Sequence, residues 1–125
     1  MLGDKEVIAT IAVKNLAQAR KFYEGTLGLQ VLSTQGEEAV TYRSAGSKVI
    51  VYRSQFAGTN QATVANWLVG SDIDKIVRGL ADRGVRFEHY DLPGLTRQGD
   101  LHITPGFKVA WFKDPDGNII SLMSG

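Results

Sequence analysis

The chain has 125 residues, 43% hydrophobic and 22% charged, with a formal net charge of +1. That size suits one domain with a real core, and charges of both signs without a basic run argue against nucleic acid as a partner. Cysteine is absent, which excludes disulfides, thiolate metal sites and a cysteine nucleophile together.

The opening stretch, MLGDKEV, lacks a basic segment followed by an apolar one, so no signal peptide is expected. No apolar run approaches the roughly 18 residues that a membrane span needs, and a cytoplasmic protein is the plain reading. Residues 7–13 are rich in β-branched side chains and read as a strand. Asn15 then fits a helix N-cap, and Leu16, Ala19, Phe22, Tyr23 and Leu27 follow at helical spacing up to Gly28. Strands are expected over 29–33, 38–43 and 47–53, with turns at Gly36 and at Ala45-Gly46. The polar stretch 54–61 reads as a linker. A strand over 62–69 leads to a helix capped by Ser71 or Asp72 and closed by Gly84, then to a strand over 85–91. Residues 92–106 hold Pro93, Gly94, Gly99, Pro105 and Gly106 and read as one long loop. Strands over 108–113 and 118–123 flank the turn Asp114-Pro115-Asp116-Gly117.

The chain repeats itself. Leu16, Ala19 and Tyr23 recur at one constant offset as Ile73, Ile76 and Leu80, each set preceded by a strand and followed by glycine and another strand. Such a repeat means a duplicated βα unit. The expected fold is α+β: two tandem βαβββ modules, about 5–53 and 62–125, in a single domain. Each helix covers one face of its sheet, and the remaining faces curve round a cavity.

The opening IATIAVKNLAQARKFYEGTLGL and the closing VAWFKDPDGNIISL resemble the vicinal oxygen chelate superfamily, which includes glyoxalases, extradiol dioxygenases and the fosfomycin- and bleomycin-resistance proteins. The resemblance implies a homodimer and a small-molecule cavity. In members that chelate a metal, four strands each supply one ligand. Carried over on the motifs, the first position falls seven residues before Asn15, at Ile8. The last falls four residues after the turn glycine, at Ser121. The middle two fall near Val51 and near Val64, with Asn66 as the alternative to Val64. Divalent ions need oxygen or imidazole nitrogen donors. Ile and Val have none, so no metal and no other cofactor is expected. The pattern is nearest in character to the metal-free bleomycin-resistance members.

The cavity residues expected on this reading are Ile8, Thr10, Val51, Val64, Asn66, Leu68, Trp111 and Ser121. Tyr42, Tyr52, Phe56, Tyr90, Phe107 and Phe112 are further aromatics that can border it, whereas the alternation along 64–69 assigns Trp67 to helix packing. His89 and His102 are the only histidines and the candidate acid–base groups. The simpler reading of each is an imidazole bonded to backbone or water. Asp100 and His102, two apart, can share a face; Glu88 and His89 cannot. Asp114 and Asp116 are read as turn formers rather than a carboxylate pair. The expected function is metal-free binding of a small, partly apolar or aromatic molecule, as in sequestration or resistance. The alternative is a lyase, isomerase or dioxygenase with a relocated metal or a histidine acid–base mechanism.

Overall fold

A computed structural model describes residues 1–125. The backbone divides into two compact units, Met1–Gly58 and Thr59–Gly125. No helix is long and apolar enough to cross a membrane.

The first unit runs β1 (Ala9–Val13), α1 (Leu16–Arg20), a wider π-type turn over Lys21–Thr26, β2 (Gln30–Gln35), β3 (Ala39–Ser44) and β4 (Ser47–Arg53). Its sheet has the order β1-β4-β3-β2, with β1 parallel to β4 and the other pairs antiparallel. Asn15 caps α1 as expected, its side-chain oxygen accepting from the Gln18 N–H at 3.0 Å. The helical stretch ends as Leu27 N–H and Leu29 N–H donate back to Phe22 O and Tyr23 O, both at 2.9 Å. Gly28 between them turns the chain at φ +77°.

Alternation along the strands sorts the side chains. Val51 is in register with Ile11 on β1 and Val40 on β3; Val49 is in register with Tyr42. All five are buried. Tyr23 of the helical segment stacks on Tyr42 with ring centroids 6.3 Å apart, so this is the face that the helix covers. Each large side chain so buried contributes about 1.5–3 kcal/mol. The Tyr42 hydroxyl keeps a polar partner, donating to Glu24 at 2.8 Å, and Arg20 holds the same carboxylate at 2.6 Å. The Arg20 hydrogen bond keeps the Glu24 carboxyl below its ordinary range.

The second unit runs β5 (Thr63–Leu68), a 3₁₀ turn (Gly70–Asp72), α2 (Ile73–Asp82), β6 (Phe87–Glu88), β7 (Thr96–Gln98), β8 (Leu101–Thr104), β9 (Phe107–Lys113) and β10 (Ile119–Met123). The strand order is β5-β10-β9-β8-β7, and β6 pairs with β9 as well. Gly84 ends α2 at φ +92°, with Gly84 N–H on Ala81 O and Val85 N–H on Leu80 O, both at 3.0 Å. That is the paired bond pattern of a glycine cap.

Three expectations need correction here. Residues 92–106 are not one loop, because Thr96–Gln98 and Leu101–Thr104 form an antiparallel hairpin. The strand expected over 85–91 is laddered only at Phe87 and Glu88, since β8 takes over the same edge of β9 from there. No side chain of Asp72 caps α2, because the 3₁₀ turn leads into it instead.

The turn between β9 and β10 is built by Asp114. Its Oδ1 accepts from Asp116 N–H at 3.0 Å and Asn118 N–H at 2.9 Å, and its Oδ2 accepts from Asn118 Nδ2 at 2.8 Å. Gly117 closes the turn at φ +92°.

Candidate functional site

The second sheet has two unlike faces. Lys108 reaches Asp74 on α2 at 2.9 Å, so the face carrying Lys108 is the one α2 covers. Ala110 and Phe112 alternate onto it, in register with Leu122 and Ile120, and Phe87 joins them. These side chains are buried. Trp67, in register with Leu122, belongs to that face too.

The face turned away from α2 carries polar and aromatic side chains together. One row across it reads Asn66, Ser121, Trp111 and Glu88; the next reads Leu68, Met123, Val109 and His102. Asn66 and Leu68 are exposed, Trp111 is half-buried, and Ser121 and His102 are 1% and 0% exposed. Tyr90 joins this face, its ring 5.2 Å from Trp111 and 6.0 Å from His102. The His102 and Trp111 rings meet edge-on at 4.8 Å.

His102 Nε2 accepts the Tyr90 N–H at 2.9 Å. Burial pushes its pKa below the ordinary imidazole value. The Tyr90 N–H bond requires a lone pair on Nε2. The neutral ring therefore carries its hydrogen on Nδ1. That nitrogen has no hydrogen-bond partner, nor has the buried Ser121 Oγ.

His89 is placed differently. It lies past the end of β6, and its Nε2 meets Asp100 Oδ1 at 2.8 Å, with both side chains partly exposed. Asp100 therefore partners His89, not His102. Glu88 is engaged by Lys113 at 3.5 Å.

Of the residues expected to line a cavity, the structure brings Asn66, Leu68, Trp111 and Ser121 onto this one face. Val64 lies at a break in the β5–β10 register. Ile8 precedes β1 and Thr10 lies on it, in the first unit; Thr10 is exposed and in register with Ile50. Val51 lies on the opposite face of its sheet from Thr10, beneath the helical segment. Among the further aromatics, Tyr42 and Phe112 are core, whereas Tyr52 and Phe56 are exposed. The burial of His102 and the His89–Asp100 pair were not legible beforehand. The alternation in LHIT was a strand signal, masked by the glycines and prolines around it.

The four positions that family resemblance assigns to metal ligands do not fit an ion. Ile8 and Val51 are aliphatic, the third position offers either Val64 or the single amide oxygen of Asn66, and a lone serine hydroxyl is a poor ligand. Nowhere in the structure do three or more His, Cys, Asp or Glu side chains gather in a way that holds a metal. The first unit has an open cleft of about 410 Å³ beside the start of α1, lined by Lys14, Asn15, Leu16, Arg20, Glu37 and Arg53 among others. Its arginines are engaged, Arg20 by Glu24 and Arg53 by Glu38.

Comparison with known proteins agrees with this architecture. The fold is similar to that of a glyoxalase family protein from Enterococcus faecalis, with a TM-score of 0.73 at 19% identity over 98% of this chain and 99% of that one. It is similar to a lactoylglutathione lyase from Agrobacterium tumefaciens, with a TM-score of 0.72 at 13% identity over 98% and 95%. A genomically encoded fosfomycin resistance protein from Listeria monocytogenes gives 0.66 at 16% identity over 98% and 91%. These likenesses establish the fold alone. The sequence matches no curated protein. Residues 7–122 match the family model, and the chain belongs to the Glyoxalase/Bleomycin resistance protein/Dioxygenase superfamily.

Proposed function

We propose that this protein binds a small, partly apolar or aromatic molecule without a metal, in the manner of a sequestering or resistance protein. The observation that supports the reading is the donor set: the family resemblance assigns ligand positions to Ile8, to Val64 or Asn66, and to Ser121, a set with at most one amide oxygen and one hydroxyl, while Val51 lies in the core of its sheet. The face bearing Asn66, Leu68, Trp111 and Ser121 supports it, because a half-buried indole beside a few polar atoms suits a flat ligand. Assembly as a homodimer in the cytoplasm belongs to the same reading.

A specific observation favours a second reading. His89, held by Asp100 at 2.8 Å, is a carboxylate-oriented imidazole of the kind used as a general base. On that reading the protein is a metal-free lyase or isomerase of the superfamily.

Titration of tryptophan fluorescence with aromatic compounds separates the two. Saturable quenching lost in Trp111→Phe, retained in His89→Gln and without product formation is expected. Turnover abolished by His89→Gln would instead establish the enzyme, and quenching unchanged by Trp111→Phe would remove the site from this face.

A further inference from the structure

β2 is the outer strand of the first sheet: one of its edges pairs with β3 and the other with no strand. All six residues, QVLSTQ, are exposed, Val31 and Leu32 among them, so nothing in the chain covers the strand. A bare edge presents a row of unpaired N–H and C=O groups, and proteins that stay single guard it with charge, proline or very short length. β7 is guarded in this way, with three residues of which one is Arg97. β2 carries no charge and no proline.

The strand also reads alike in both directions. Five residues apart on a regular strand, Gln30 and Gln35 would face opposite sides of the sheet. The register shift between Val31 and Ser33 makes Leu32 an extra residue and cancels that difference. Gln30 is in register with Arg43 and Gln35 with Ala39, both on the face away from the helical segment. Val31 is in register with Tyr42 and Thr34 with Val40, both on the face that the helical segment covers. A second β2 laid antiparallel about a twofold axis therefore sets Gln30 against Gln35 on one face and Val31 against Thr34 on the other. Leu32 and Ser33 then flank the axis. Opposed side chains share a face, and no like charges meet.

We propose that two copies of this chain associate through β2, joining their first sheets across an antiparallel β2–β2 seam. A peptide of other sequence is a poorer fit. Strand addition gains its specificity from side-chain pockets, and the cleft of this unit is lined by no β2 residue. The proposal rests on the homodimer reading above and names its surface. One six-residue seam falls short of a standard interface of about 1,600 Å², so the expected dissociation constant is about 1–100 μM.

The chain has no cysteine, so introduced thiols report on the seam alone. Opposed residues of an antiparallel pair lie about 4.5–5.5 Å apart between Cα atoms, a span that a disulfide bridges. A mixture of Gln30→Cys and Gln35→Cys chains is expected to crosslink under mild oxidation. Neither variant alone is expected to do so, since a position and its own copy lie about 17 Å apart along the seam. Sedimentation equilibrium of the full chain is expected to show a micromolar monomer–dimer equilibrium. Ser33→Lys, at an exposed position beside the axis, is expected to weaken it by about tenfold while the melting temperature in dilute solution stays unchanged. An equal mixture of Ser33→Lys and Ser33→Glu is expected to restore it.

A dimer undiminished by Ser33→Lys, or a cysteine mixture that crosslinks no faster than either variant alone, overturns the inference and leaves the homodimer reading on another surface. A chain that stays monomeric far above the micromolar range removes both.

Discussion

Asp114 is 5% exposed, yet its carboxylate is fully engaged. Three hydrogen bonds, from the Asp116 and Asn118 backbones and the Asn118 amide, tie the turn between the two central strands of the second sheet. Asp114→Ala strands those donors in a buried turn and is expected to cost about 2–3 kcal/mol in denaturant unfolding. Asp116, whose carboxylate takes no part in this network, is expected to tolerate Ala far better. His102 imposes a different condition, on pH. Its folded pKa lies below the ordinary value of about 6.5 that it regains on unfolding. The unfolded chain therefore binds the proton first. The stability held above that value is lost as pH falls through it towards the folded pKa. The expected outcome is a melting temperature that drops over this interval, with His102 ring resonances titrating below the ordinary midpoint. His102→Gln, whose amide oxygen can still accept the Tyr90 N–H, is expected to flatten the drop.

At the scale of elements, local chemistry explains most boundaries. Asn15 satisfies an N–H of the first turn of α1, whose first turn holds no acidic residue. Asn15→Ala is expected to lower stability by about 1 kcal/mol, seen as a shifted urea midpoint at constant slope. The hairpin between β3 and β4 closes at Ser44 and Ser47 with Ala45 at φ +51°, where the sequence already suggested a turn at Ala45-Gly46. The β7–β8 hairpin was hidden for a physical reason. It is short, fully exposed on β7 and edged by Gly94, Gly99 and Gly106, so its signal is set by pairing with β9 rather than by propensity. The missing cap on α2 is the converse case. Asp72 has the right chemistry for an N-cap, but the 3₁₀ turn that begins at Gly70 includes it in the helical path.

At the scale of the whole molecule, membership of the superfamily sets an architecture on which several chemistries are built, and the donor set narrows them. Dialysis against a chelator is expected to leave the melting temperature unchanged, and added zinc, manganese or nickel to raise it by nothing measurable. A stoichiometric ion retained through purification, or a metal-dependent rise, would contradict the metal-free reading. The repeated βα unit, the asparagine cap, the glycine helix ends and the Asp-Pro-Asp-Gly turn were all determined by the sequence itself, because each depends on residues close together in the chain. Which side chains share a surface was decided only by the tertiary structure. Register is a relation between distant segments, and a shift of one residue moves a side chain to the other face. That is why Val51 lies beneath the helical segment of its unit while Thr10 does not, and why Ser121 and Trp111 stand side by side. It is also why His102 is buried with Tyr90 and Trp111, leaving Asp100 to His89.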